Sequence, residues 1–516
     1  MKSKIFLIVI CLVGFQSSIA QKRNAIWCFG DSAGIDFNNV NNPSTFQSGN
    51  DTRGSNCAIA DTNGNLLFYA STSYKPFYLM GLVWAGAIYN KNHQLMLHAD
   101  TIFGQAWFNE VMIIPFPNND SLYYIFFAGC TSIYGLYYCI VNMKGDGGLG
   151  EVITKNNQLQ PFAQVDCLNA IKHGNGRDWW LFFRRYDPNG LPPNNEFHSY
   201  LITPSGITNY NVQNVGSMQT TGGGKITFSK KGDIMIYSNL RWLIEKYDFD
   251  RCTGVISNPI NIQQENIGNA SRLYASNELS ENGKVLYVSA SVKNDSSYLL
   301  QYDLDAANIA ATRDTIWYQA YPVNAAGVLK RGKDEKIYFA CVYTTFTSGG
   351  YPYDDSLYNM YNMNLSVINS PDSLGAACNF TPYSFYLGGK RTYWGLPNNP
   401  DYDLGPLVGS PCDTLSVNLT PGPSPVGEGS LFLTYISAWE KLFINASGLR
   451  GKQLTATIYD ATGKEKLARG KPPGGGLGVF GGHFTLDVDC AGWPSGLYVV
   501  HLQTEKEVLS KKFVKE

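Results

Sequence analysis

Short runs of β-branched and aromatic residues, each entered through a polar turn, recur along most of the chain. In Asn282-Gly283-Lys284-Val285-Leu286-Tyr287-Val288-Ser289 an Asn-Gly pair leads into such a run. Asn-Gly and Asp-Gly favour positive φ, the conformation that primed hairpin turns require, and the residues that follow suit a pleated, half-buried surface. The unit returns at 61–69, 118–124, 174–180, 231–237 and 333–339. The first apolar residue after each turn is Leu66, Leu122, Trp179, Ile234, Val285 and Ile337, at steps of 56, 57, 55, 51 and 52 residues by subtraction. A strand-built period of about 50 residues predicts a propeller. A second strand follows each unit after a loop, as at 135–141, 197–202, 243–248 and 298–303, so two hairpins make a four-stranded blade.

Six hairpin units are visible. Roughly 30 residues lie before the first and roughly 30 after the sixth, together about one more period, and a propeller closes by building its last blade from both termini. The expectation is an all-β chain with a seven-bladed β-propeller, in which Ala25–Phe29 joins strands near 381–396. Six blades with the leftovers as a clasp is the alternative.

The rest of the pattern divides the chain. Residues 1–20 read as a secretory signal: Lys2 and Lys4, an apolar run over 5–15, and the small-residue site Ser18-x-Ala20 before Gln21. The run is too short to span a bilayer, and no later stretch is apolar enough to do so, so an exported, soluble chain without a transmembrane segment is expected. Residues 21–410 are the propeller and 411–430 a Pro/Gly-rich linker. Alternating runs over 431–516, six or seven short strands, predict a small Ig-like β-sandwich interrupted by the Gly-rich 473–482.

Composition sharpens this only slightly. The 516 residues are 44% hydrophobic and 14% aromatic with 52 Gly, which suits a turn-rich β protein. A net charge of −1 gives no general attraction to nucleic acid. Beyond Cys11 in the signal, ten cysteines remain, and export makes disulfides available; Cys130 with Cys139 and Cys378 with Cys412 are candidate pairs, the alternative being small buried apolar residues.

No nucleophile elbow, phosphate loop or zinc pair is present, so no catalytic residue, cofactor or metal ligand is assigned. His93 and His98 are read as structural. Asp61-x-Asn63-Gly64-Asn65 mimics the start of a calcium loop but lacks its closing Glu, and reads as a hairpin turn. His173, Arg177 and Asp178, beside Trp179 and Trp180, form the most polar-aromatic cluster. They are ligand candidates for a sugar, set against a reading in which the tryptophans pack between blades.

Ile458-Tyr459-Asp460 with Thr462-Gly463-Lys464, Leu486-Asp487-Val488, Ser495-Gly496-Leu497-Tyr498-Val499-Val500 and the basic tail Lys511, Lys512, Lys515 stand in order at the C-terminus. This stretch resembles the type A C-terminal sorting domain of the Bacteroidetes type IX secretion system, with Thr434-Tyr435-Ile436-Ser437 where the family opens on Tyr-Pro-Asn-Pro. The resemblance implies recognition by the type IX machinery, removal of the domain, and secretion or surface attachment through lipopolysaccharide. Residues 24–400, on motifs such as Trp27-Cys28-Phe29-Gly30 and Gly395-Leu396-Pro397-Asn398, resemble the propellers of large secreted Bacteroidetes proteins, whose implied role is surface binding. Asp followed by Ser or Thr and an apolar residue resembles the O-glycosylation acceptor of such proteins, which implies candidates at Ser32, Ser121, Thr315, Ser356, Ser373 and Thr414. The reading is an exported binding module for a glycan or protein. The alternative is a propeller lyase, lactonase or glycosidase with its site at the axial mouth.

Overall fold

The computed structural model describes residues 22–73, 86–104, 109–129, 135–186, 193–266, 272–292, 296–320, 325–342, 357–413, 430–436, 441–447, 454–460, 464–469, 483–504 and 508–515. Regular structure among them is β-strand with short 3-10 turns and no α-helix. No helix there is long and apolar enough to cross a membrane. The chain divides into two compact units: 1–172 with 179–404, and 173–178 with 405–516.

In the first unit the repeats become antiparallel meanders whose strands lie in sequence order. Four-stranded sheets span 111–160, 169–219, 224–263, 272–320 and 325–386. Their second strands begin at Leu122, Trp179, Ile234, Val285 and Ile337, and another begins at Leu66. These are the six residues that define the sequence period. A second strand such as Val285–Val292 is buried over nearly its whole length, because neighbouring sheets cover both of its faces. A fourth strand such as Gly206–Gln219 is mostly exposed or half-buried and carries Asn, Gln and Thr. First strands of successive sheets touch one another. Serial meanders gathered by their first strands are the blades of a β-propeller.

The repeat turns differ from expectation. A primed two-residue turn needs positive φ at both central residues, but only Gly283 (φ 74°) takes it in the Asn282-Gly283 turn. Gly283 N–H donates to Ser280 O at 3.1 Å, and Ser280 N–H donates to Val285 O at 2.9 Å, so the loop is longer and tighter-twisted. Side chains compensate: Asn282 Oδ1 accepts from Lys284 N–H at 2.8 Å and Ser280 Oγ from Val285 N–H at 3.1 Å. The Asp61 loop is built likewise, its Oδ1 accepting from Asn63 and Asn65 N–H.

The N-terminal end also departs from the predicted closure. Ile26–Phe29 pairs with Asp31–Asp36, because Gly30 and Ser32 take positive φ and turn the chain back at once. The long strand Ser44–Ala60 then serves two meanders, pairing with Asp31–Asp36 through its first half and with Leu66–Ser73 through its second. Residues 381–386 belong to the sheet of 325–386 and do not receive Ala25–Phe29. Instead a single bridge joins Asp31 to Arg391. Trp27 and Phe37 stack edge-on against Tyr338, at 5.6 and 5.5 Å between ring centroids, seating the N-terminal meander on the last sheet.

Beyond that sheet the chain turns inward. Every residue from Arg391 to Pro400 is buried. Asn398 N–H donates to Asn56 O at 2.7 Å, and its Nδ2 donates to Leu168 O at 2.7 Å and Val111 O at 3.4 Å. Tyr402 Oη donates to Ile113 O at 3.1 Å. One segment therefore bonds the central strands of several sheets and fills the channel. Gly395 packs so closely on Gly54 that no side chain fits between them.

The second unit contains two sheets. Ser430–Ile436, Lys441–Ser447 and His483–Asp489 form one; Glu465–Arg469, Leu454–Asp460, Gly496–Thr504 and Val508–Lys515 form the other. They pack face to face through Leu442, Ile444 and Val488 against Ile458, Val500 and Leu502.

The cysteine pairs differ from those expected. Cys139 is a free thiol in the strand Gly135–Asn142, opposite Ile125, and burial pushes it up to about 11. Cys378 is free and buried as well. Cys252 and Cys412 are the disulfide-bonded cysteines among the described residues. Cys130 lies outside them.

Candidate functional site

The predicted cluster forms a closed turn. Arg177 Nε and Nη2 donate to the two carboxylate oxygens of Asp178 at 2.6 and 3.0 Å. Asn175 Nδ2 adds a donor at 2.8 Å, and Asn175 Oδ1 accepts from the backbone N–H groups of Arg177 and Asp178. His173 Nδ1 lies 3.1 Å from Asn175 N, and Leu407 N–H donates to Gly174 O at 2.7 Å. The Asp178 carboxylate, which would hold a sugar hydroxyl, is occupied by its own loop. Trp179 and Trp180 are buried, and Trp180 Nε1 donates to Arg251 O at 2.9 Å. His93 Nδ1 faces Tyr69 Oη at 3.2 Å beneath Phe46. Among the described residues no three His, Cys, Asp or Glu side chains are placed to share a metal.

Of the acceptor-like hydroxyls, Thr315 is exposed, whereas Ser32, Ser121 and Ser373 are half-buried. Ser121 Oγ donates to Asn119 Oδ1 at 2.9 Å and Ser32 Oγ to Asp31 Oδ1 at 3.3 Å, so both take part in turns. In the second unit Gly496 is exposed, Tyr498 Oη donates to Pro494 O at 2.6 Å, Lys511 is half-buried and Lys512 exposed. Lys515 is buried, its Nζ donating to Cys490 O at 2.8 Å and Trp493 O at 2.9 Å. Ala20, Gln21, Ser356, Thr414 and Gly463 lie outside the described residues.

The sequence did not single out the site that the fold builds. Where the first strands lead into the repeat turns, the segment 391–404 leaves a cavity of about 100 Å³. That is room for roughly seven to ten waters, or a ligand of about ten heavy atoms. Gly224–Phe228, Arg272–Leu279 and Ala325–Arg331 contribute Lys225, Glu278, Lys330 and Arg331 to its wall. Lys230, Lys333 and Glu335 come from the turns, and Asn399 and Asp401 from the segment in the channel.

Most of these charges are committed. Lys225 Nζ donates to Leu329 O at 2.7 Å and Ser276 Oγ at 3.2 Å and lies 3.8 Å from Glu278. Burial pulls its ammonium down to about 8, against the opposing pull of Glu278. Glu335 takes both Lys230 (2.9 Å) and Arg331 (3.2 Å), and Lys333 pairs with Asp403 at 2.8 Å.

Lys330 is different. Its Nζ makes one hydrogen bond, to Asn399 O at 2.6 Å, and among the described residues no carboxylate forms an ion pair with it. Two of its N–H groups remain unused. Burial lowers its pKa, as does Arg331, while Glu278, Cys57 and Asp401 raise it. Asn399, 4% exposed, accepts from Ala58 N–H at 2.8 Å through Oδ1, and its Nδ2 has no partner. Asn24 Oδ1, also in the wall, is a buried acceptor without a donor. Buried polar groups are almost always hydrogen-bonded, so two unpartnered atoms beside an ammonium with donors to spare mark a place where a ligand or water completes the structure. The available signal was a charged residue within a first strand, as at Lys225, Glu278 and Lys330.

No protein family matches the sequence, and no curated protein matches it. Among solved structures, the periplasmic gluconolactonase PpgL of Pseudomonas aeruginosa matches at 10% identity over 72% of this chain and 98% of that one, with a TM-score of 0.41. The Dos1 propeller matches at 10% identity over 70% and 74%, with a TM-score of 0.36. A luciferin-regenerating enzyme matches at 13% identity over 66% and 90%, with a TM-score of 0.30. Likeness at this level carries no argument about activity, and the propeller rests on the sheet topology.

Proposed function

We propose that the chain is an exported binding protein whose ligand site is the cavity at the turn end of the propeller channel. One observation carries this reading: Lys330, Asn399 and Asn24 line one cavity, and each has polar hydrogen-bonding capacity that the fold leaves unused. Binding is favoured over catalysis because two carboxylates of the wall are already engaged. Glu278 accepts from Leu279 and Arg331 N–H and faces Lys225, and Glu335 holds two cations. In this reading the N-terminal meander, bridged to Arg391, closes the ring as a seventh blade. The signal-like residues 1–20 and the motif order at 454–515 support export through type IX secretion, with residues 431–516 as the sorting address and the product released or held at the cell surface.

Two experiments test it. A thermal-shift screen of small polar compounds should find ligands that stabilise the full chain but not Asn24→Trp, which fills the cavity; a screen in which every stabilising compound acts equally on both proteins overturns the site. Mass spectrometry of the native protein should find a chain beginning at Gln21 and ending near the Pro/Gly-rich linker 411–430, in the medium or on the surface. A periplasmic product still ending at Glu516 overturns the sorting role.

A further inference from the structure

The lining of the cavity also says what kind of molecule it takes. Its wall carries five cationic side chains (Lys225, Lys230, Lys330, Arg331, Lys333) and three anionic ones (Glu278, Glu335, Asp401), a surplus of two. Asp403, just behind the wall, pairs with Lys333 and reduces the surplus to one. The unmatched charge sits on Lys330, the cation without a carboxylate in contact. A half-buried ammonium with unused donors and no carboxylate beside it favours an anionic partner, and a charge-assisted hydrogen bond to such an anion is strong.

The neighbouring unused donor is the neutral amide Nδ2 of Asn399, the residue whose carbonyl holds Lys330. One ammonium beside one amide matches a monoanion with two acceptor oxygens better than a dianionic phosphate. The third unused atom, Asn24 Oδ1, has the opposite polarity and requires a donor from the ligand. Half-buried Phe228 adds an apolar side chain to the lining. We infer that the cavity binds a small hydroxylated carboxylate of the sugar-acid class, its carboxylate on Lys330 and Asn399 and a hydroxyl on Asn24. This rests on the reading of the cavity as the ligand site.

Isothermal titration of the full chain with glucuronate and galacturonate, and with glucose and methyl glucuronate ester as uncharged probes, tests it. The expected result is that at least one acid binds ten or more times tighter than the uncharged probes. Lys330→Met should remove that preference, Lys330→Arg should keep part of it, and Asn399→Ala should weaken the acid several-fold with little change in glucose binding. Uncharged probes binding as tightly as both acids, in a manner abolished by Asn24→Trp, would overturn the anion assignment and leave the site standing. Acids that bind equally well to Lys330→Met and to Asn24→Trp would overturn both. Circular dichroism of each variant separates lost binding from lost folding.

Discussion

The turn 173–178 and the channel cavity hold similar residue types and differ in what those residues have left to do. The turn gathers His, Arg, Asp and Asn, and closes on itself: Asp178 accepts from Arg177 twice and from Asn175 once. The cavity gathers Lys, Arg, Glu and Asn, and leaves an ammonium, an amide and a carbonyl oxygen incompletely bonded. Residue type alone ranked the turn first. Hydrogen-bonding capacity left over after folding reverses that order, because only unused donors and acceptors gain free energy when a ligand arrives.

The comparison can be broken hardest at the segment that walls the cavity. Asn398→Asp removes the donor to Leu168 and Val111 and places a carboxylate among the central strands, so a stability loss of about 3 kcal/mol is expected in urea unfolding. Asp178→Ala comes next. It leaves Arg177 and Asn175 without their acceptor and should cost about 1–2 kcal/mol, with acid binding unchanged in titration calorimetry. Lys330→Met is the converse: acid binding falls at least tenfold while stability stays within about 1 kcal/mol, since a half-buried, unmatched charge is exchanged for an apolar side chain. If Asp178→Ala weakens binding and Lys330→Met does not, the ranking of the two regions is the wrong way round.

The last contrast is in pH. Lys225 titrates near 8, and Lys330 is also lowered by burial. Both are charged below their folded pKa and lose charge above it, so affinity for a sugar acid should be level from pH 6 to 7 and decline several-fold as pH passes through about 8 and beyond. Glu278, Asp401 and Arg331 are the charged groups that act on Lys330, and burial pushes Cys57, which lies against Tyr402, up to about 11. Neutral sugars should show no such decline in the same titration series.

The scaffold was legible because it is periodic. The turn spacing located the first residue of six strands, since a turn followed by β-branched and aromatic residues is a local signal. The turn type was misjudged because Asn282, Ser280 and Asp61 use side-chain hydrogen bonds to stabilise a longer loop than a primed pair. The path of 391–404 was not legible, since Gly-Leu-Pro-Asn-Asn has no strand pattern and its bonds all go to distant strands. The site was hidden for the same reason. Lys330 and Asn399 are 69 residues apart in sequence, and only the return of the chain through the channel brings them together. Lys330 could be suspected as a charge within a first strand; nothing local marks Asn399.

The most direct test is a crystal structure of the full chain grown with glucuronate or galacturonate, compared with that of the unliganded crystal. The account predicts a sugar acid in the cavity beside Asn24, with its carboxylate within hydrogen-bond distance of Lys330 Nζ and Asn399 Nδ2. A cavity filled only by water at saturating acid, or a sugar acid bound at the turn 173–178 instead, would contradict it.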